Sequence, residues 1–129
     1  MAVQEKAARL ERFLSESPSF RGVPFAVVAG RAITLEEALD MLRRGENVPE
    51  VLAALSRAGL DPLPWAECEA FYQRLAAARP ELKIYGLPYV PAMSPAEALE
   101  HVRARDEVGE SLVKMYANLL NFMRERMRL

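Results

Sequence analysis

The longest stretch of this chain without an internal proline begins at Pro95 and continues to the carboxyl end, with Gly109 as its only glycine. A helix from Pro95 to near Met127 would be about 50 Å long at roughly 1.5 Å per residue. Gly109 lowers helix propensity by about 1 kcal/mol. The pattern therefore predicts a long C-terminal helix that is either continuous or kinked near Gly109.

Apolar residues of this helix fall on two adjacent stripes. The first has a 4-3-4-3 spacing and comprises Val108, Leu112, Met115, Leu119 and Phe122. The second comprises Val113, Tyr116, Leu120, Met123 and Met127. Together they form an apolar arc wider than the seam that one packing partner requires. Two explanations stay open: the earlier helices cover both stripes, or one stripe binds another protomer or another protein.

The width of this arc leads us to expect a non-enzymatic protein-interaction or assembly subunit that self-associates or binds a protein partner through the C-terminal helix. The expected interface residues are Leu112, Met115, Tyr116, Leu119, Phe122 and Met123. Unbranched methionine side chains repack readily, which suits an adaptable interface and suits an irregular core equally well.

Three helix starts can be read from local motifs. Thr34 with Glu37, and Ser94 with Glu97, have the spacing of capping boxes, in which each side chain bonds the backbone amide of the other residue. Asn47 is expected to cap a further helix through its side chain. These motifs predict helices that begin close to residues 35, 48 and 95.

The remaining pattern predicts an all-α fold of about five helices in a compact array, formed by residues 1–129 as a single helical domain. Apolar residues at three- and four-residue steps predict a first helix ending near Pro18 and another from Trp65 to Pro80. The apolar segment Phe25–Val28 is expected to be extended. A short strand at Lys83–Tyr85 is the candidate to pair with it.

The composition excludes several classes of protein. With 17 Lys+Arg, 18 Asp+Glu and a net charge of −1, the chain has no overall attraction for a polyanion. Binding of nucleic acid would therefore require a local basic patch. The alternative function that we consider is a helical nucleic-acid-binding component of a larger complex. Its expected contacts are the C-terminal arginines Arg124, Arg126 and Arg128, joined by Arg43 and Arg44. These C-terminal arginines also complement the helix dipole, which needs no ligand.

Candidate catalytic groups are few. His101 is the only histidine and Cys68 the only cysteine, and neither belongs to a recognisable catalytic or metal-binding motif. His101 is expected to be a surface residue in local ion pairs, and Cys68 a small buried side chain. No catalytic residue, cofactor or metal is assigned, and the sequence favours a protein without enzymatic activity.

The expected location is the cytoplasm. Residues Met1–Lys6 contain no apolar signal core, and the longest uncharged apolar run, Gly22–Gly30, is about half the length that spans a bilayer. Because this run is too short, membrane partners are not expected. A single cysteine forms no intramolecular disulfide, which is consistent with a reducing compartment such as the cytoplasm.

Overall fold

The computed structural model describes residues 2–57, 62–85, 87 and 90–127. In these residues the chain forms six α-helices, a short 3-10 helix (Pro18–Phe20) and a two-stranded sheet. The α-helices are α1 (Ala2–Glu16), α2 (Leu35–Arg44), α3 (Val48–Ser56), α4 (Trp65–Ala78), α5 (Pro95–Ala104) and α6 (Glu107–Met127). The strands are β1 (Pro24–Val28) and β2 (Arg31–Thr34). The predicted helical architecture with short extended segments is confirmed, with six described α-helices in place of about five.

The additional helix arises because the long C-terminal helix is interrupted. Arg105 has a left-handed backbone with φ of 54°, and its amide donates to carbonyls of the last turn of α5. Asp106 then caps α6, since its Oδ1 accepts a 2.8 Å hydrogen bond from the amide of Gly109. The continuous helix is therefore excluded, and the interruption predicted near Gly109 lies a few residues earlier, at Arg105 and Asp106, where the chain ends one helix and begins another.

Gly109 serves the packing of α5 against α6. A β-carbon at this position would lie 2.1 Å from the carbonyl oxygen of His101 in α5. This distance is far shorter than van der Waals contact, so a side chain here would push the two helices apart. Because glycine has no side chain, the backbones of α5 and α6 can approach each other closely just after the break.

The strands β1 and β2 form a hairpin closed by a two-residue turn. Val28 pairs with Arg31, and the intervening Ala29 and Gly30 have φ of 52° and 76°. Positive φ at both central positions is typical of a type I′ turn, whose twist matches that of the flanking strands. The extended conformation predicted for Phe25–Val28 is confirmed.

The predicted pairing of this segment with Lys83–Tyr85 is wrong. The partner of β1 is β2, and Ile84 instead forms an isolated antiparallel bridge with Met93. The Ile84 amide donates to the Met93 carbonyl at 2.8 Å, and the reverse bond measures 3.1 Å. A two-residue turn closes a hairpin at a small entropic cost, whereas pairing with a distant segment must close a long loop.

Both predicted capping boxes are confirmed. The Glu37 amide donates to Thr34 Oγ1 at 3.2 Å, while the Thr34 amide donates to Glu37 Oε1 at 3.1 Å. Ser94 and Glu97 make the same two bonds at the start of α5. Asn47 is the N-cap residue of α3 as predicted, but the predicted side-chain bond is absent, because Asn47 has a left-handed backbone and its side chain makes no capping bond. An N-cap side chain reaches the helix amides from an extended backbone, which Asn47 does not have.

Buried side chains from all six described helices and both strands form the core. Its largest fully buried members include Leu10, Phe25, Ile33, Leu35, Leu55, Leu112, Leu120 and Met123. Helix α5 packs against α4 and α6, and α1 packs against α2. The hairpin lies against α3 and α4, which supports a two-stranded sheet that would be marginal alone.

Candidate interaction surface

The two apolar stripes of α6 lie in different environments. All five residues of the second stripe are buried by the rest of the chain: Val113, Tyr116, Leu120, Met123 and Met127. In the first stripe Leu112 is fully buried and Leu119 is half-buried. Met115 and Phe122, in contrast, are 43% and 46% exposed. The fold therefore covers one stripe and leaves part of the other at the surface.

The six predicted interface residues likewise fall into a buried group and a group that reaches solvent. Leu112, Tyr116 and Met123 lie in the chain's own core and line no surface. Met115, Leu119 and Phe122 are the members that reach solvent. The structure thus narrows the predicted face to these three residues, and their part in an interface stays a prediction.

Tyr116 illustrates how the second stripe is held inside. Its hydroxyl donates a hydrogen bond to the carbonyl oxygen of Pro24 in β1. Its ring centroid lies 5.2 Å from that of Phe71 in α4. Burial raises the pKa of the Tyr116 phenol well above its usual value, so the group stays neutral. Tyr116 therefore ties α6 to both the hairpin and α4.

Phe122 ends a series of aromatic rings that leads from the core to the surface. Its centroid lies 6.2 Å from that of Phe20, which in turn stacks on Phe13 of α1 at 5.5 Å. Phe13 is buried, Phe20 is half-buried and Phe122 is exposed. Pro18 begins the 3-10 turn that places Phe20 here. We define the α6 face as Met115, Leu119, Phe122 and Phe20.

A groove of about 660 Å³ lies beside this face, between α1 and the end of α6. Phe13, Phe122 and Met127 form its apolar wall, and the rest is formed by Ser17 and by charged side chains of both signs. Arg12 Nε lies 3.1 Å from Glu16 Oε1, and the Arg126 guanidinium carbon lies 5.3 Å from the Phe122 centroid. The α6 face is therefore bordered at this end by a mixed set of charges.

The predicted nucleic-acid contacts have separate roles within the fold. Arg124 Nε donates to the Ala54 carbonyl at 3.2 Å and its Nη2 to the Phe25 carbonyl at 3.1 Å. Burial, more than the nearby Arg57, lowers the pKa of Arg124. Arg126 lies over Phe122, and Arg128 lies outside the described residues.

The two expected basic neighbours are engaged with acids. Arg43 pairs with Glu11 of α1, and an Arg44 guanidinium nitrogen lies 3.5 Å from Glu46 Oε2. The Arg124 guanidinium is bonded to backbone carbonyls within the fold, so each of these three described arginines already has a partner in the chain. Nucleic-acid binding stays a prediction.

His101 and Cys68 lie in ordinary structural positions. His101 Nδ1 is 2.6 Å from Asp106 Oδ2, the same carboxylate that caps α6. Cys68 is buried, and burial together with nearby Glu67 raises the pKa of its thiol to about 12. Because the thiolate is the nucleophilic form of cysteine, this environment disfavours reaction at neutral pH.

Two residues near these sites were missed by the sequence interpretation. Asp106 is the partner of His101 and the cap of α6, and its type is among those preferred at helix starts. That preference could have indicated a break before Gly109. Phe20 belongs to the α6 face, but no sequence motif joins it to Phe122, because their contact depends on how α1 lies beside α6.

The chain matches no protein-family model, no curated protein and no solved structure. Among the described helices, none is both long enough and apolar enough to span a membrane. No group of three or more potential metal ligands occurs within residues 2–57, 62–85, 87 and 90–127.

Proposed function

We propose that this chain is a non-enzymatic assembly subunit that self-associates through the α6 face. The observation that carries the proposal is the exposure of Met115 and Phe122, seven residues apart on a helix whose other apolar stripe is buried. Leu119 lies between them on the same stripe, and Phe20 contacts the Phe122 ring. Isolated exposed apolar side chains are ordinary on monomers, whereas contiguous ones mark interaction sites.

The distribution of exposed apolar side chains supports the choice of this face. In the described part of the chain, four large apolar side chains are exposed, and the two outside α6 are Val27 and Tyr85. Val27 lies on β1, and Tyr85 follows the isolated bridge at Ile84. Half of these side chains therefore lie on one stripe of a single helix.

The residue types of the α6 face also suit an interface. Aromatic side chains bury a large apolar area with few rotatable bonds, so Phe122 can serve as an anchor. Met115 has a flexible thioether that adapts to an opposing surface. A partner that contacts both residues would remove their exposed apolar surface from water.

Sedimentation equilibrium over a concentration series tests the proposal. We expect the average mass of the wild-type chain to rise from monomer toward dimer as the concentration approaches about 1 mM. The Met115→Glu and Phe122→Glu variants place a charge on the α6 face and should remain monomeric. Circular dichroism should show that both keep the wild-type helical content, because these side chains lie at the surface.

Val27→Glu is the matched control, since Val27 is 44% exposed, close to the exposure of Met115, and lies on β1. This variant should associate as the wild-type chain does. A wild-type chain that stays monomeric throughout the series would overturn the proposal. Equal loss of association in Val27→Glu would also overturn it, because the α6 face would then have no special role.

A further inference from the structure

Helix α3 is held to the rest of the fold by a small apolar contact. Of its nine residues, only Val51 and Leu55 are buried, whereas five of the ten residues of α2 are buried. Its main packing neighbours in the described part of the chain are α2 and β1. A helix of this length is not stable in isolation, so α3 depends on these contacts.

The first turn of α3 has a polar contact with the hairpin. Glu50 Oε2 accepts a 3.3 Å hydrogen bond from the Ala29 amide, in the turn between β1 and β2. Asn47 precedes this turn with a left-handed backbone, and its side chain caps no amide. The start of α3 therefore lacks the stabilisation that capping boxes give to the starts of α2 and α5.

The last turn of α3 is joined to α6 through one arginine. Arg124 Nε donates to the carbonyl oxygen of Ala54 in α3 at 3.2 Å, and its Nη2 donates to that of Phe25 in β1 at 3.1 Å. Its guanidinium carbon also lies 5.9 Å from the centroid of the Phe25 ring. The helix dipole favours a cation at the carboxyl end of a helix, and hydrogen bonds from a charged donor are stronger than neutral ones. Arg124 therefore supplies a strong polar contact at the end of α3.

We propose that α3 opens locally as a unit while the rest of the fold stays closed, and that Arg124 is the residue that holds α3 shut. Proteins open in cooperative units, and a unit with few buried apolar contacts needs less free energy to open than the whole fold. Opening breaks the hydrogen bonds at Ala54 and Ala29 and exposes Val51 and Leu55 to water. The opened form therefore has an apolar surface between α3 and β1 that the closed form lacks, which is the property of a cryptic site.

Native-state hydrogen exchange, measured by NMR at urea concentrations below the unfolding transition, tests this opening. In the wild-type chain we expect the amides of residues 51–55 to exchange at least about 100-fold faster than those of residues 113–120 in α6, after correction for intrinsic rates. Their exchange should also depend less steeply on urea, because a local opening exposes less surface than global unfolding. Equal rates with equal urea dependence for the two helices would overturn the proposal.

Two substitutions separate the opening of α3 from global unfolding. Tyr116→Phe removes the bond to the Pro24 carbonyl, which persists when α3 opens, so it should accelerate exchange in α6 by about 5- to 30-fold and leave α3 unchanged. Arg124→Gln removes a bond that the opening breaks, so it should accelerate exchange in α3 by about 10- to 100-fold and in α6 as well. Arg126→Gln is the matched control, because Arg126 contacts the Phe122 ring and should affect neither helix.

Equal acceleration of α3 and α6 by Tyr116→Phe would overturn the proposal, because α3 would then open only with the whole fold. Acceleration of α6 alone by Arg124→Gln would overturn the role of Arg124, because its bond to Ala54 would then persist in the opened form. If Arg124→Gln does not fold, Arg124→Lys replaces it, since lysine keeps the charge but has a single donor nitrogen for two carbonyls. This variant should accelerate exchange in α3 by about 3- to 10-fold, and an unchanged rate would overturn the same role.

Discussion

The two stripes of α6 are similar in composition and differ in what lies beside them. The second stripe, which contains Met123, is buried, and its Tyr116 contacts both α4 and the hairpin. The first stripe, which contains Met115, lies at the edge of the core: its Leu112 is buried, whereas Met115 and Phe122 are exposed to solvent. An apolar period in the sequence therefore identifies a face that favours burial, but the position of the other elements determines whether the chain itself supplies the cover.

The largest difference in stability is expected between alanine substitutions at two methionines of α6. Met123 is 0% exposed, so Met123→Ala leaves a cavity and should lower the free energy of unfolding by about 2–5 kcal/mol. Met115→Ala removes the same atoms from a surface and should cost less than about 1 kcal/mol. Urea denaturation measured at a concentration where the chain is monomeric compares the two. Equal losses would contradict the assignment of the stripes to core and surface.

A smaller loss is expected where α6 meets α5. Gly109→Ala would place its β-carbon 2.1 Å from the His101 carbonyl oxygen. The helices must separate to relieve this contact, and we expect a loss of about 1–3 kcal/mol in unfolding free energy. Ser111→Ala, at an exposed position two residues later, should change stability by no more than about 0.5 kcal/mol. A neutral Gly109→Ala variant would contradict the close approach of the two backbones.

Removing the hydrogen bond between the buried stripe and β1 should lower the unfolding free energy by a still smaller amount. Tyr116→Phe removes the hydroxyl that donates to the Pro24 carbonyl and should cost about 1–2 kcal/mol in unfolding free energy. Tyr85 is exposed, so Tyr85→Phe should be nearly neutral and controls for the change of residue type. Indistinguishable denaturation midpoints for the two variants would show that this bond adds nothing to the anchoring of α6.

The smallest effect is expected at the start of α6, as a change in pH dependence. The Gly109 amide, followed by His101, lowers the pKa of Asp106 below its usual 3.8, so the fold favours the charged carboxylate. Its stabilisation is present above that usual value and is lost as the pH falls from it through the lowered pKa of the folded chain. The stability advantage of the wild-type chain over Asp106→Asn should therefore shrink as the pH is lowered from 6 toward 3 in urea titrations. An advantage that does not change with pH would contradict this role of the carboxylate.

Local motifs account for the parts of the fold that were predicted correctly. The capping boxes at Thr34 and Ser94 involve atoms only three residues apart, so the sequence contains all the information they need. The hairpin was harder to predict because Ala29 occupies a turn position where asparagine or glycine is usual. At the break, the left-handed conformation of Arg105 leaves no signal in a single sequence, and the helix-start preference of Asp106 is the only local indication of it.

The amino-acid sequence determined that this protein is mainly helical and that its last helix has two apolar stripes, because helix period and capping depend on residues close in the chain. Which stripe becomes core was decided only by the tertiary structure, through contacts such as Tyr116 with Pro24 and Gly109 with His101. These contacts join residues whose proximity depends on the packing of whole helices. The exposure of Met115 and Phe122 has the same origin.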